Sequence, residues 1–248
     1  MKNVNNPELS IIFPTYNERE NIIDIIGEAR LYISTHIGAN HEFIVVDDDS
    51  PDKTWEIVQK HFSGDNSIKL IRRTNQKGLA SAIRSGINAS EGSIVAWMDC
   101  DFSHPPYILA ELVNKIYEGY DISVGSRFTK GGRDVRGPAD SWIAVILSRA
   151  MNYFISFVLG WSFKDYTSGF VAVRRKVFDN IEINGDYGEY FIGFIHKARR
   201  KGYKIIEIPY YCIPRRKGVS KTGTNFKEYL EKGWKYILYT LDLKLKIR

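Results

Sequence analysis

The chain has 248 residues, 44% hydrophobic and 26% charged, which excludes a disordered or low-complexity protein and allows one α/β domain or two small ones. Lysine and arginine outnumber aspartate and glutamate 35 to 29, and the excess is concentrated in 215–248, where ten basic residues meet three acidic ones. A basic end of this kind points to phosphate groups, an acidic membrane face or nucleic acid, with a solvated face as the plain alternative. Cys100 and Cys212 lack metal-ligand spacing, and the polar start Met1–Asn6 carries no secretory signal, so a reducing, cytosol-facing location is expected.

In chain order, Leu9–Phe13 reads as a buried strand ended by Pro14, and Asn17-Glu-Arg-Glu20 as the opening of a helix with Ile22, Ile26 and Ala29 at helical spacing. Glu42–Val46 is a second strand, stopped by Asp47-Asp-Asp-Ser-Pro51; Lys53–Phe62 is a helix and Ser67–Ile71 a third strand. Lys77–Ile87 is a helix rich in small residues, able to lie close on a sheet. Ile94–Met98 is a fourth strand, Pro106–Tyr117 a helix and Ile122–Val124 a fifth strand. Strand and helix alternate with short connections, which predicts a mostly parallel sheet covered on both faces.

The rhythm changes after Gly125. Thr129–Pro138 has the length and glycine content of a mobile lid. Trp142–Leu159 is apolar nearly all round but broken by Arg149 and Asn152. Such a helix measures about 27 Å, and an arginine near its centre is costly in a bilayer, so it reads as a buried or membrane-surface helix and not a span. Val171–Val173 and Ile205–Ile208 are further strands, with a helix around Tyr190–Lys201 between them. A basic loop at Arg215–Thr224 precedes a last helix, Phe226–Lys246, carrying Trp234, Tyr236 and Tyr239 among lysines. The expected organisation is a nucleotide-binding half over 1–125, an acceptor half with mobile loops over 126–224, and a basic amphipathic helix over 225–248.

The chemistry gathers at strand ends. Glu18 follows the first strand, Asp47–Asp49 the second, and Asp99-Cys-Asp101 the fourth. Open α/β sheets bind ligands in the crevice beyond the carboxyl ends of their strands. Asp99 and Asp101, two hard oxygen donors there, suit Mg²⁺ or Mn²⁺ brought in with a diphosphate. Standing alone, an Asp-x-Asp would more often cap the following helix; the neighbouring acids are what argue for a site. The dinucleotide-binding Gly-x-Gly-x-x-Gly and the P-loop are both absent.

Pro14-Thr-Tyr-Asn-Glu-Arg-Glu-Asn-Ile22, Val45-Val-Asp-Asp-Asp-Ser-Pro-Asp-Lys-Thr54, Lys77-Gly-Leu-Ala-Ser-Ala82 and Met98-Asp-Cys-Asp-Phe-Ser-His-Pro105 together resemble the family 2 glycosyltransferases of the GT-A fold. Gly125-Ser-Arg-Phe128, Asp165-Tyr-Thr-Ser-Gly-Phe170 and Arg215-Arg-Lys-Gly-Val-Ser-Lys221 narrow this to the dolichyl (polyprenyl) phosphate mannosyltransferase group. The resemblance implies an α/β, Rossmann-like, mostly parallel sheet with helices on both faces. It implies that Pro14, Tyr16, Glu18, Val46 and Asp48 hold the nucleoside. Asp99, Asp101 and Ser103 would hold Mg²⁺ or Mn²⁺, with Cys100 and Phe102 lining the site. Arg127, Arg215 and Lys221 would grip phosphates, Asp101 and Arg127 being the catalytic pair, and Ser148 with Arg149 would face the acceptor phosphate. Asp47 could serve only to cap its turn, and His104 to support the turn beside two prolines.

The implied reaction is metal-dependent, inverting transfer of a sugar, with mannose from GDP-mannose foremost, onto a polyprenyl or dolichyl monophosphate. The alternatives are a UDP-sugar (glucose or an amino sugar) as donor, or a glycan hydroxyl as acceptor; the latter needs a carboxylate base, for which Glu189 is the nearest candidate. Expected partners are the nucleotide sugar, the polyprenyl phosphate, a membrane surface on its cytosolic face and a small membrane-anchoring subunit. Nucleic acid is not expected, because the acidic clusters would repel its backbone. This chain departs from the group at the usual Gln-x-Glu ahead of Ala-x-x-x-Gly-Tyr, which is here Phe191-Ile-Gly193, and on the acceptor side: relatives commonly carry an arginine about one turn before the serine matching Ser148, where this chain has Ala144-Val-Ile. Arg149, Arg133 and Arg136 are the candidates to replace it.

Overall fold

The computed structural model describes residues 7–136, 142–218 and 226–246, with the backbone alone in 142–144 and 226–232. Seven strands form one sheet: β1 (Leu9–Thr15), β2 (His41–Asp47), β3 (Ile68–Arg72), β4 (Ile94–Trp97), β5 (Ile122–Ser126), β7 (Val171–Arg174) and β8 (Ile205–Pro209), in the order β3-β2-β1-β4-β7-β5-β8. All neighbours are parallel except β7, which runs antiparallel to both β4 and β5. The expected parallel sheet is therefore present, with one reversed strand from the second half of the chain inserted into it. The two halves share one sheet.

Helices α1 (Ile22–His36), α2 (Thr54–His61) and α4 (Pro106–Tyr117) cover one face; α3 (Leu79–Ala89), α5 (Trp142–Leu159) and α6 (Glu189–Arg200) cover the other, with α7 (Phe226–Leu245) packed on α5 and α6. Strand β1 serves both faces: Leu9, Ile11 and Phe13 join the first core and Ile12 the second, the alternation that a pleated strand imposes. On the second face α3 lies very close to β1, since a Cβ on Gly86 would stand 2.5 Å from Ile12 Cγ2.

Two expectations about boundaries need correction. Asn17 does not open α1. It sits at φ 55°, and the amides of Asn17, Glu18 and Arg19 donate to Ser50 Oγ, Thr54 Oγ1 and Asp52 Oδ2 at 3.0–3.1 Å. Those amides are satisfied across the loop after β2, so the helix begins only at Ile22. The stretch expected to be a lid contains β6 (Arg133–Asp134), which pairs in parallel with β9 (Tyr211–Cys212), so this part of it is fastened to the chain leading into the basic loop.

Strand order 3-2-1-4 places the topological switch between β1 and β4. The chain passes from β1 to β2 on one side and returns by β3 to β4 on the other, leaving a crevice beyond their carboxyl ends. By Trp97, opposite Ile12, β4 has ended, while β1 continues to Thr15. Pro14 therefore lies where the missing amide costs no ladder bond.

Candidate active site

A cavity of about 960 Å³ opens at this crevice. Pro14, Tyr16, Glu18 and Asp48 line it from the β1 and β2 ends, and Asp99, Cys100, Asp101 and Ser103 from the turn after β4. The carboxylates have distinct surroundings. Asp47 is fully buried and accepts from Thr15 Oγ1, the Ser50 amide and Ser50 Oγ at 2.7–2.9 Å, so it does cap its turn. Asp48 takes Arg73 Nε at 2.7 Å on one oxygen and the Gly78 amide at 2.8 Å on the other, fixing the start of α3 to the end of β2.

Asp99 is half exposed toward the cavity, with its amide donating to His104 Nδ1 at 3.0 Å. The His104 ring is stacked on Phe170 and buried, and burial pushes its pKa down to about 4. It stays neutral at pH 7 and supports the acidic turn. Asp101 is buried; Oδ1 accepts from the Ser103 amide at 3.0 Å and Oδ2 pairs with Arg215 Nη2 at 2.8 Å. Burial opposes its ionisation, but the Ser103 hydrogen bonds and Arg215 outweigh it and hold the carboxyl below its ordinary range. A guanidinium thus rests against the carboxylate expected to bind metal. Among the described residues no set of three or more His, Cys, Asp or Glu side chains is grouped for a metal. Asp99 and Asp101 are two hard oxygen donors that would hold a divalent ion once Arg215 gives up Asp101, the ion taking its remaining oxygens from diphosphate and water.

Several expected residues stand elsewhere. Phe102 has φ 69°, which turns its ring out of the cavity into the core, where Arg216 covers it at 3.6 Å. Val46 is fully buried against α3 and does not line the cavity. Arg127 reaches the cavity wall but is only 7% exposed, and its fork is occupied: Nε and Nη2 donate to Asp165 at 2.8 and 2.7 Å, and Nη2 also to Thr167 Oγ1 at 2.8 Å. Burial works against its charge, yet the Asp165 carboxylate holds its pKa well above the ordinary value. This arginine ties the β5 end to the 165–169 segment and leaves little of itself for a ligand. Ser148 lines the cavity; its neighbour Arg149 is exposed and does not. Lys221 lies outside the described residues.

Three more residues complete the wall: Trp97 and Tyr190, which the sequence did not single out, and Arg136, one of the arginines it offered for the acceptor side. Trp97 Nε1 donates to Tyr190 Oη at 2.9 Å, both groups being buried at the cavity floor. Arg136 lines the cavity while pairing with Asp134 at 2.6 Å. Away from the carboxylates the cavity becomes apolar, running between α5 and α7 past Val145, Met151, Phe154, Trp234 and Ile237.

The loop after β9 closes the polar end. Arg216 donates its amide to the Asp101 carbonyl at 3.0 Å and pairs with Glu28 at 2.8 Å, and the Lys217 carbonyl accepts from Asn21 Nδ2 at 3.1 Å. The described part of the basic loop is therefore docked on the acidic turn.

Comparison with known proteins agrees with this architecture. The family model for glycosyl transferase family 2 matches residues 10–182. A dolichol-phosphate mannosyltransferase of Pyrococcus furiosus is 36% identical over 90% of this chain, which spans only 62% of that protein's length. A polyprenol monophosphomannose synthase of Mycolicibacterium smegmatis is 33% identical over 90% of this chain and 84% of its own. Among solved structures, glucosyl-3-phosphoglycerate synthase of Mycobacterium tuberculosis superposes with a TM-score of 0.68 at 19% identity, covering 96% of this chain and 80% of that one. The family model spans well over half of the chain, which therefore belongs to glycosyl transferase family 2, and its fold is that of the GT-A glycosyltransferases.

Proposed function

We propose that the enzyme transfers a sugar from a nucleoside diphosphate to a polyprenyl monophosphate, with mannose from GDP-mannose as the foremost donor. The observation that carries this reading is the two-part cavity. A carboxylate-lined end suited to a metal-diphosphate continues into an apolar channel between α5 and α7 suited to a prenyl chain. The names of the two relatives, a dolichol-phosphate mannosyltransferase and a polyprenol monophosphomannose synthase, support both the sugar and the acceptor class.

Pro14, Tyr16, Glu18 and Asp48 would hold the nucleoside, and Asp99 and Asp101, with Ser103 nearby, a divalent ion. Such an ion, when bound, supplies Lewis-acid neutralisation of the departing diphosphate. Arg215, now on Asp101, is well placed to exchange that carboxylate for a phosphate oxygen. A lipid monophosphate is already anionic near neutral pH, its second pKa being about 6, so its oxygen can attack the anomeric carbon without a general base. Attack opposite the leaving group inverts that centre. The glycan-hydroxyl alternative would need a base, and Glu189 is a poor one: it accepts from the amides of Asp186 and Tyr187 at 2.9 and 3.2 Å and does not line the cavity.

The outer faces of the channel helices favour work at a membrane surface. Ile146, Tyr153 and Phe157 on α5, with Trp161 beyond it, and Trp234, Leu238, Leu241 and Leu245 on α7 are large apolar side chains left exposed. No helix of the described residues is long and apolar enough to cross a membrane. Peripheral attachment on the cytosolic face fits these stripes, and a small anchoring subunit could share them. Incubation with Mn²⁺, polyprenyl phosphate and labelled GDP-mannose, UDP-glucose or UDP-N-acetylglucosamine tests the reading. Label in the lipid fraction from GDP-mannose alone is expected; label from a UDP-sugar alone moves the donor assignment, and none from any overturns it.

A further inference from the structure

Four cationic side chains among the described residues line the cavity: Lys77, Arg127, Arg136 and Arg215. They are not equivalent. Lys77 stands over the Tyr16 ring, with Nζ 5.2 Å from its centre, at the nucleoside end. Arg215 is on Asp101. Arg127 is spent on Asp165 and Thr167. Arg136 differs in being 28% exposed while held by one carboxylate: Asp134, 3% exposed, accepts from its Nε at 2.9 Å and its Nη2 at 2.6 Å. A guanidinium has five N–H donors in a fixed plane, so Asp134 engages one edge and the opposite edge keeps its donors for another anion.

We propose that Arg136 grips the acceptor's phosphate and that Asp134 is its positioning residue; this rests on the transferase reading above. The support for Arg136 is rigid. Asp134 lies on β6, where Val135 donates its amide to the Cys212 carbonyl at 2.9 Å and Arg133 to the Tyr210 carbonyl at 3.0 Å. Asp134 also lies 3.7 Å from Arg127 Nη1, so one buried carboxylate stands between two arginines and fixes the exposed one. On the α5 side Asn152 Nδ2 bridges the Ser148 carbonyl (2.9 Å) and Thr167 Oγ1 (2.7 Å), and Thr167 in turn accepts from Arg127. Ser148 and the mouth of the apolar channel are thereby tied to the same cluster. The paired charges cancel, Arg127 and Arg136 against Asp134 and Asp165, so the anion meets a pre-oriented fork without having to displace a counter-ion. The other two arginines near this region, Arg133 and Arg149, are exposed and do not line the cavity.

The ligand chemistry is a phosphomonoester with an apolar tail. Equilibrium binding of farnesyl phosphate, farnesol and inorganic phosphate, alongside GDP with Mn²⁺, tests the assignment. Arg136→Gln is expected to bind farnesyl phosphate at least tenfold more weakly, with farnesol and GDP–Mn²⁺ within twofold of wild type. In turnover it should raise the acceptor KM and leave the donor KM unchanged, with Arg136→Lys intermediate. Inorganic phosphate that competes only weakly for the wild-type site assigns it to a lipid headgroup; equal competition assigns it to free phosphomonoesters of any kind, against the lipid part of the proposal. If Arg136→Gln leaves Asp134 unpaired and unfolds the protein, the double variant Asp134→Asn/Arg136→Gln removes the pair together and answers the same question. Wild-type affinity for farnesyl phosphate in a folded variant overturns the role of Arg136 alone. A wild-type protein that neither binds farnesyl phosphate nor transfers sugar overturns the function beneath it.

Discussion

Asp101 has two roles that a substitution separates. Its Oδ1 orders the turn through the Ser103 amide, and an asparagine oxygen can still accept that bond; its charge is what Arg215, and by proposal a divalent ion, require. Asp101→Asn should therefore fold normally and lose at least about 100-fold in kcat, the range found when a charge-stabilising group is removed. Wild-type turnover in that variant, or in excess EDTA, would remove the metal from the reaction. A second residue-scale prediction concerns His196 on α6, which is buried with no hydrogen-bond partner for Nε2 among the described residues. Burial, then Arg200, Arg199 and Lys244, lowers its pKa in the folded protein. The unfolded chain takes up the proton first, below about pH 6.5, so this residue's contribution to stability is complete above that pH and is lost as pH falls below it. His196→Leu should flatten the acid side of a Tm-against-pH profile, and an unchanged slope would show that the imidazole is not what titrates.

The elements carry the site because of how they end. Strands β1, β2 and β4 were legible in the sequence as short apolar runs, although β1 runs through Pro14 to Thr15 and β2 includes Asp47, and the crevice follows once such strands lie parallel. What was not legible depends on distant pairing or on one dihedral angle. Arg127 reads as a phosphate ligand until Asp165, 38 positions later, is found to occupy it. The resemblance places Phe102 beside Cys100 in the site, but its positive φ accompanies a ring buried in the core. No local pattern could announce that β7 enters the sheet reversed between β4 and β5. At this scale two substitutions discriminate. Gly86→Ala drives a methyl into Ile12 where α3 meets β1, which should cost about 1–3 kcal/mol, as overpacked cores do, and urea unfolding measures it. Arg215→Ala removes the cation at Asp101 from the docked loop and should weaken binding of one phosphate-bearing substrate by about 1.5–3 kcal/mol, the range for hydrogen bonds to charged groups. Unaltered affinity for both donor and acceptor would leave Arg215 as a clasp for the loop and nothing more.

At the scale of the molecule the apolar stripes on α5 and α7 raise the question of what they face. A polyprenyl chain leaves a bilayer at a cost of about 0.8 kcal/mol per CH₂, so the enzyme must meet the phosphate at the surface. The channel is suited to that meeting, since Trp234 both lines it and is 60% exposed. Removing α7 would be a poor test: Tyr236 and Tyr239 pack their hydroxyls against Gly188 and Gly193, where a Cβ would collide with them, so a deletion would open the second core. Point changes on the exposed stripe are cleaner. Phe157 and Leu241 are 72% and 42% exposed, and replacing both with glutamate leaves Tyr236 and Tyr239 untouched. Each apolar side chain fully withdrawn from water is worth about 1.5–3 kcal/mol, and each basic residue near an anionic leaflet adds about 1 kcal/mol. The wild-type protein should therefore float with anionic vesicles at low salt and release partly as salt rises. Phe157→Glu/Leu241→Glu should stay in the soluble fraction at an unchanged Tm and still turn over a detergent-dispersed short-chain acceptor. A double variant that floats like wild type would mean that these stripes do not face the lipid, and a wild-type protein that never floats would leave them to a protein partner.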